Sequence, residues 1–232
     1  AFPRTQKEMT RRILVINPNT NPLVTERVRD LAKRYESSVL SFEVINPENG
    51  PFSIESDLDK SQAELHVLAL IREKVSIQHD AYVLACFDDL ALESARKMVP
   101  VPVIGTCEAG IMAARAISPK LAIVTTVSTA LPGIRSMMLR YGAGDFASVR
   151  AAGVGVAEAA LSKPDSRERL MKAVHEAVSK DGARVILLAS GAFAGQSEQI
   201  ALEAGVPVID GVEAALRLAA QTTGTLDNLT LR

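Results

Sequence analysis

An internal repeat is the feature of this sequence that most constrains its fold. Each copy consists of an apolar run, a polar residue, a segment of helical character and the tetrapeptide Val-Pro-Val-Ile, and a Glu-Ala pair comes shortly afterwards. The polar residues are Cys86 and Ser190, and the tetrapeptides begin at Val101 and Val206. The two pairs are offset by 104 and 105 residues. Because these features recur in the same order, we infer a duplication and predict two similar halves that face each other across one site.

Strand patterns and helix patterns alternate along the whole chain. This alternation predicts an α/β protein in which each half has a parallel sheet with helices on both faces. The first half is expected to span residues 12–117 and the second half residues 118–211. The C-terminal segment 212–225 is a candidate to pack on the first half.

The composition limits the classes of partner. A net charge of −1 over 232 residues gives no reason to expect nucleic acid or an anionic membrane as partner, so we expect a small-molecule ligand. No segment approaches the roughly 20 apolar residues of a membrane span, and Ala1 to Arg11 lacks the apolar core of a secretory signal. Two cysteines do not make a disulfide framework, which favours a reducing compartment and a cytoplasmic location. His66, His79 and His175 have no companions at metal-ligand spacing, so no metal is predicted.

Cys86 is the first candidate for a reactive group. It ends a run of strand character, and polar and helix-forming residues follow at once. The backbone N–H groups and the dipole of the next helix, predicted over Leu90 to Met98, would favour the reactive thiolate form. The alternative is that Cys86 is a small buried hydrophobic residue. Cys107 is a competitor for the reactive role, but Val212 takes its place in the second repeat, which suggests packing.

Further candidates follow the other predicted strands. Asn17 ends the first strand, a place where ligands bind in open α/β folds. Thr125 and Thr126 end a strand of the second half, where hydroxyl and N–H groups are suited to hold a carboxylate or imide oxygen. Phe52 and Ile54 lie in the loop after the second strand and are expected to cover a pocket and exclude water.

The remaining charged and glycine-rich positions have structural interpretations. Glu108 and Glu213 are a matched pair that we expect to cap the helices after them. The charges of the helical segment Ser56 to Gln78, including Lys60, are interpreted as solvated. Gly153-Val154-Gly155 is not combined with a strand and a helix as dinucleotide binding requires, so no nucleotide cofactor is predicted.

Five short motifs are spread over nearly the whole chain. They are Ile16-Asn17-Pro18-Asn19-Thr20, Gly50-Pro51-Phe52-Ser53-Ile54-Glu55, Ala85-Cys86-Phe87-Asp88-Asp89, Val103-Ile104-Gly105-Thr106-Cys107-Glu108-Ala109 and Val124-Thr125-Thr126. Together they resemble the aspartate/glutamate racemase superfamily, and within it the hydantoin and allantoin racemase branch. The resemblance implies two flavodoxin-like halves related by a pseudo-twofold axis, no cofactor, and a homo-oligomer.

The resemblance also implies a proton-transfer site between the halves. Racemases of the branch use two cysteines on opposite faces of the substrate: one thiolate removes the proton α to a carbonyl, and the other thiol returns a proton from the opposite side. Cys86 matches the first of them. The groups expected to hold the substrate oxygens are the N–H groups of Phe87, Asp88 and Gly191 and the side chains of Asn17, Thr125 and Thr126.

The sequence departs from the pattern of the branch at the second cysteine. The branch has a run like Leu-Gly-Cys-Ala-Gly-Met-Ala, and the corresponding run Leu188 to Ala194 carries Ser190. A serine hydroxyl is a far weaker acid than a cysteine thiol, whose pKa is roughly 8.5. Ser190 is therefore expected to be the hydrogen-bonding group on the opposite face. Three explanations are open: an engineered substitution, a natural single-cysteine member with one-sided proton transfer, and a member that has lost racemisation.

The function predicted from the sequence is cofactor-independent racemisation or epimerisation of a hydantoin-like or amino-acid-derived compound, with Cys86 and Ser190 as the catalytic pair. One alternative is a single-cysteine lyase or isomerase similar to arylmalonate decarboxylase or maleate isomerase. Another is a noncatalytic metabolite-binding protein. If Asp88 points inward, its carboxylate would raise the pKa of the Cys86 thiol and repel anions, which favours a neutral ligand over a dicarboxylate.

Overall fold

A computed structural model describes residues 10–144 and 147–230 of the chain, and side chains up to residue 224. The expectation about a secretory signal concerns residues that are almost all outside this part. Within it, no helix has the length and apolar character needed to cross a membrane.

Two parallel four-stranded sheets form the framework of the protein. The strands of the first sheet are β1 (Arg11–Ile16), β2 (Leu40–Ile45), β3 (Ala81–Leu84) and β4 (Val103–Gly105). Those of the second sheet are β5 (Leu121–Thr125), β6 (Ala147–Ala151), β7 (Val185–Leu188) and β8 (Val208–Asp210). The strand orders, β2-β1-β3-β4 and β6-β5-β7-β8, are the same when the second set is counted from β5. The predicted fold class, two similar α/β halves with parallel sheets, is confirmed.

The helices that connect and cover the strands begin at recognisable caps. They are α1 (Pro22–Lys33), α2 (Asp57–Lys74), α3 (Leu92–Met98), α4 (Thr106–Ile117), α5 (Leu131–Arg140), α6 (Val156–Ala160), α7 (Pro164–Ser179), α8 (Ser197–Ala204) and α9 (Gly211–Thr230). Asn21 caps α1 by accepting a hydrogen bond from the N–H of Leu23, and Pro22 then fits the first turn. Ser56 and Asp59 form a reciprocal capping box that fixes the start of α2.

Alternate residues of each central strand enter different layers of the core. Ile13 and Val15 of β1 pack with α1 and α9, whereas Leu14 and Ile16 pack with α2 and α3. All four side chains are fully buried, which explains why these strands are continuous apolar runs.

The last helix of each half packs on the sheet of the other half. Helix α9 contributes Val212, Ala215 and Leu216 to the core of the first sheet. Helix α4 contributes Ile111 and Ala114 to the core of the second sheet, together with strands β5 and β7. The segment 212–225 lies in α9. The exchange of helices joins the two hydrophobic cores on either side of the cleft.

Candidate active site

A cavity lies between the two halves, at the carboxyl ends of the central strands. The loops after β1, β3, β5 and β7 supply most of its wall. The predicted site residues in this wall are Ile54, Cys86, Phe87, Asp88, Thr125, Thr126, Ser190 and Gly191. Because parallel strands of both sheets end here, residues more than a hundred positions apart meet in one site.

Cys86 lies in the loop that follows β3, and its thiol is in its ordinary, protonated form. Cys86 is half-buried in the cavity wall, and desolvation there raises the pKa of the thiol well above its usual value. The Asp88 carboxylate raises the pKa further, as predicted, while a hydrogen bond from the Asp88 N–H and the positive charge of Lys60 act in the opposite direction.

The prediction that a helix dipole favours the thiolate of Cys86 is wrong. Helix α3 begins only at Leu92, not at Leu90. The intervening chain turns back through Asp89 and Ala91, whose φ angles are 47° and 63°. The turn is closed by a hydrogen bond from the Asp89 N–H to the Cys86 carbonyl. The N-terminus of α3 is therefore not formed by the residues next to the thiol.

Ser190 takes the corresponding place after β7. Its Oγ accepts a hydrogen bond of 3.2 Å from the N–H of Ala192, within the short 3₁₀ turn Gly191–Phe193. This contact fixes the side chain and uses a lone pair of the oxygen, which leaves the hydroxyl proton for donation into the cavity. Cys86 and Ser190 thus stand at equivalent positions of the two halves, in the wall of the same cavity.

Asn17 does not line the cavity, and Asn19 does. The fully buried Asn17 side chain donates from Nδ2 to Asn19 Oδ1 at 3.1 Å and to Thr25 Oγ1 at 3.0 Å. Asn19 Oδ1 also accepts from the Asn21 N–H at 3.0 Å. With its oxygen held on the protein side, Asn19 presents its amide NH₂ group to the cavity. Asn19, which the sequence pattern alone presented as a turn residue, therefore has the position in the cavity wall that was predicted for Asn17.

The two threonines after β5 differ in their contacts. Thr125 Oγ1 donates to the Ala189 carbonyl at 3.2 Å and so ties β5 to the loop that carries Ser190. The carbonyl of Thr126 accepts from the N–H groups of Gly153 and Val154. Both side chains are buried in the cavity wall, but the Thr125 hydroxyl already has a structural partner.

The loop after β2 closes the cavity from the first half. Ile54 lines the cavity, whereas Phe52 points outward with 55% of its surface exposed, so the prediction that Phe52 covers the pocket is wrong. Glu55 ties this loop to the second half: its Oε1 accepts from the Val156 N–H at 2.8 Å, and its carbonyl accepts from Thr129 Oγ1 at 2.7 Å. Apart from the presence of Glu55 in a shared motif, no sequence feature indicates these contacts.

Asp88 points into the cavity wall and is paired with a lysine. Lys60 Nζ, from the first turn of α2, lies 2.7 Å from Asp88 Oδ1. Among the described residues that line the cavity, Asp88 is the one with a charged side chain. Lys60 was interpreted as a solvated charge, and the structure corrects this, since only 20% of its side chain is exposed.

Asp89 has a structural role behind the site. Its carboxylate accepts from the N–H groups of Cys107 and Glu108 at 2.8 and 3.1 Å and from the Tyr141 hydroxyl at 2.7 Å. Asp89 rather than Glu108 therefore caps α4. Cys107 is fully buried, and burial raises the pKa of its thiol, so it is a packing residue as the second repeat suggested.

Asp210 has the corresponding structural role in the second half. It caps α9 by accepting from the N–H groups of Val212 and Glu213 at 2.9 and 3.2 Å. Glu213 instead pairs with Tyr35 and Arg217, so the capping roles expected of the two glutamates are wrong.

Comparisons with known proteins agree with this architecture. The family model for Asp/Glu/Hydantoin racemases matches residues 13–219. A hydantoin racemase of Paenarthrobacter aurescens is 35% identical over 210 residues, which cover 90% of this chain and 89% of the relative. A hydantoin racemase of Rhizobium meliloti is 35% identical over 214 residues, covering 91% and 88%. The structure of an allantoin racemase from Klebsiella pneumoniae superposes with a TM-score of 0.89 at 31% identity, covering 93% of this chain and 88% of that one.

Fold and site together define a two-lobed α/β protein with a thiol and a hydroxyl at equivalent positions of one interlobe cavity. The chain belongs to the Asp/Glu/Hydantoin racemase family, and within it to the hydantoin and allantoin racemase branch. The family predicted from the motifs is confirmed.

Proposed function

We propose that this protein is a cofactor-independent racemase or epimerase of a neutral, hydantoin-like small molecule, with Cys86 as its principal acid/base. The observation that carries the proposal is the placement of Cys86 and Ser190 at equivalent strand ends in the wall of one cavity. The names of its relatives, hydantoin racemase and allantoin racemase, support the same substrate class.

The proposed reaction transfers the proton on the carbon α to a carbonyl. The Cys86 thiol first loses its proton to solvent. The thiolate then takes the α-proton, the C–H electron pair moves toward the carbonyl, and negative charge develops on the carbonyl oxygen. Return of the proton from Cys86 restores the starting enantiomer. Inversion requires a proton from the opposite side, where Ser190 donates its hydroxyl proton and recovers one from solvent, while Cys86 releases the proton it took to solvent. Because a hydroxyl is the weaker acid, we expect inversion to be slower than exchange at Cys86.

The developing oxyanion needs hydrogen-bond donors. The Asn19 amide is oriented toward the cavity by Asn17. The backbone N–H groups of Phe87 and Gly191 remain available, since neither donates a hydrogen bond within the described part of the chain. The Asp88 N–H, also expected to serve the substrate, faces the Cys86 sulfur instead. Donors fixed before the reaction stabilise the developing charge at little reorganisation cost.

The charge of the cavity favours a neutral substrate. An anion would meet the Asp88 carboxylate, and Lys60, the partner of Asp88, lies behind it. A dicarboxylate would bring two further negative charges beside Asp88, and the described lining residues supply no cationic side chain to offset them. This argues against the lyase or isomerase of a small dicarboxylate as the alternative function.

The proposal is tested by polarimetry on single enantiomers of 5-substituted hydantoins and of allantoin. We expect slow loss of optical rotation with unchanged mass, none with Cys86→Ala, and a rate about 10²-fold higher with Ser190→Cys, because a second thiol restores a matched acid/base. Ser136→Cys, at an exposed position, controls for the added thiol. Unchanged rotation with both wild type and Ser190→Cys would reject the hydantoin class, and a change in mass would favour the lyase.

We further propose that the protein works as a cytoplasmic homo-oligomer. The two cysteines of the described chain are unpaired, which is in keeping with a reducing compartment.

A further inference from the structure

The Lys60–Asp88 ion pair is a built feature of the cavity wall. Its nitrogen and oxygen are 2.7 Å apart, and the two side chains are only 20% and 18% exposed. A second carboxylate, Asp57, lies 4.0 Å from Lys60 but is fully exposed, so solvent screens it. Lys60 is therefore paired with Asp88. Because both side chains are mostly buried, their charges act more strongly on neighbouring groups than charges at the surface do.

Two elements fix the position of the pair. The capping box of Ser56 and Asp59 sets the first turn of α2 and therefore the direction in which Lys60 leaves the helix. On the opposite side lies Gly133, in the first turn of α5. A Cβ atom there would lie 3.1 Å from Lys60 Nζ and 3.5 Å from Asp88 Oδ1. The absence of a side chain at Gly133 leaves room for the pair at the junction of the two halves.

Cys86 lies among a small set of charges. Asp88 and Asp89 follow it after Phe87, and the charge of Lys60 on α2 also acts on the thiol. The Asp89 carboxylate is directed away, toward the N-terminus of α4 and the Tyr141 hydroxyl. Asp88 lines the cavity with Cys86, so the charge of Asp88 opposes formation of a thiolate most directly. Lys60 is the cation that offsets it.

We propose that Lys60 is a positioning residue for Cys86: it anchors the Asp88 carboxylate in the cavity wall and offsets its negative charge beside the thiol. Without this ammonium group, an unpaired carboxylate would face both the thiol and the substrate. Lys60 touches neither reacting atom in this arrangement and acts through Asp88. The inference rests on the proposed function. The proposed reaction requires the Cys86 thiol to lose its proton, and Lys60 explains how it can do so beside a carboxylate.

The test is the rate of alkylation of Cys86 by iodoacetamide in the substrate-free protein, measured by peptide mass spectrometry across a range of pH. Only the thiolate reacts, so below the thiol pKa the rate follows the small fraction of thiolate. We expect Lys60→Met to lower the rate about tenfold at a given pH, equivalent to a rise of about one unit in thiol pKa. Lys60→Arg, which retains the charge, should restore most of the rate, and Asp88→Asn should raise it.

Matched controls separate this effect from a loss of fold. Cys86→Ala gives the background from the buried Cys107, and Lys120→Met removes an exposed lysine remote from the cavity. If Lys60→Met fails to fold, Asp88→Asn decides the question alone. A wild-type rate in Lys60→Met, or in Asp88→Asn, overturns the inference. The assay involves no turnover, so failure of the racemase assay would leave its outcome intact and the two proposals can fail separately.

Discussion

At the scale of single residues, the site depends on side chains that are held by other side chains. Thr25 Oγ1 accepts from Asn17 at 3.0 Å and donates to Asn46 Oδ1 at 2.8 Å, so the amide group that faces the cavity stands at the end of a chain of hydrogen bonds. Asn17 fixes the direction of Asn19 within this chain. A group oriented in advance loses little freedom when the substrate arrives, which is how a neutral amide becomes an effective oxyanion donor.

Substitutions at the two asparagines should therefore have different effects. Asn19→Ala removes the proposed donor and should lower kcat/KM by about 10²-fold. It should also destabilise the fold by about 1–3 kcal/mol, because the Asn17 amide and the Asn21 N–H lose their acceptor. Asn17→Ala should destabilise the fold by a similar amount but lower kcat/KM less, because it leaves the proposed donor in place. Steady-state kinetics and urea unfolding measure the two effects, with the exposed Asn49→Ala as control. Full activity in Asn19→Ala would show that the amide does not bind substrate.

Residue-scale prediction from sequence succeeded where a strand end fixes the position and failed where packing does. Cys86 and Ser190 were placed because the residue after a parallel strand must lie at the edge of the sheet. Asn17 and Asn19 are both near such an end, and sequence does not reveal which of them turns toward the cleft. Lys60 lies on helix α2, 26 positions before Cys86 in the sequence, whereas Cys86 and Asp88 lie in the loop after β3. The sequence therefore carries no local signal that Lys60 pairs with Asp88.

At the scale of elements, two aspartates cap the helices that cross between the halves. Asp89 caps α4 and Asp210 caps α9, each through two backbone N–H groups. Burial raises the pKa of each carboxyl to about 6. Asp210 also accepts from the Gly195 N–H at 2.7 Å, so the same carboxylate holds the loop after Ser190.

These raised pKa values predict a pH dependence of stability. An unperturbed Asp has a pKa of about 3.9, so between about pH 4 and 6 the folded state binds more protons than the unfolded state. The contribution of the two carboxyls to the free energy of unfolding is therefore largest near pH 4 and falls as the pH rises to 6. Asp89→Asn and Asp210→Asn should each flatten this slope by an amount on the order of 1–2 kcal/mol over the window. Urea unfolding at several pH values measures it, and identical slopes in wild type and both variants would contradict it.

The starts of the helices show what sequence could establish at this scale. The caps of α1 and α2 come from local chemistry, Asn-Pro in one case and Ser-x-x-Asp in the other. The cap of α9 is also local, since Asp210 directly precedes that helix, but the cap of α4 is not. Asp89 reaches α4 from another loop, across 18 and 19 positions, and only the folded chain shows that it displaces Glu108 from the capping role. Helix α3 starts late because Asp89 and Ala91 have positive φ angles, which could not be predicted from these two residue types.

At the scale of the whole molecule, the exchange of α4 and α9 makes the two halves one unit around the cleft. The repeat predicted two similar sheets that face each other, and the strand orders confirm it. Only one part of this exchange was proposed from the sequence, the packing of segment 212–225 on the first half. The pattern of apolar residues in α4 and α9 predicts that each helix has a buried face, but not which sheet that face covers. The loop after Cys86 is tied through Asp89 to α4, and the loop after Ser190 is tied through Asp210 to α9. Because these are the two helices that cross between the halves, the spacing of the loops across the cavity is set by the fold as a whole.

Solvent exchange at the α-carbon tests this account most directly. Each enantiomer of a 5-substituted hydantoin is incubated with the protein in deuterated water, and NMR follows loss of the α-proton while chiral chromatography follows inversion. The account predicts that one enantiomer exchanges much faster than it inverts, that Cys86→Ala abolishes this exchange, and that Ser190→Cys makes exchange and inversion comparable in both enantiomers. Equal exchange of both enantiomers by the wild-type protein, or exchange that survives in Cys86→Ala, would contradict a site with Cys86 as its single strong acid/base.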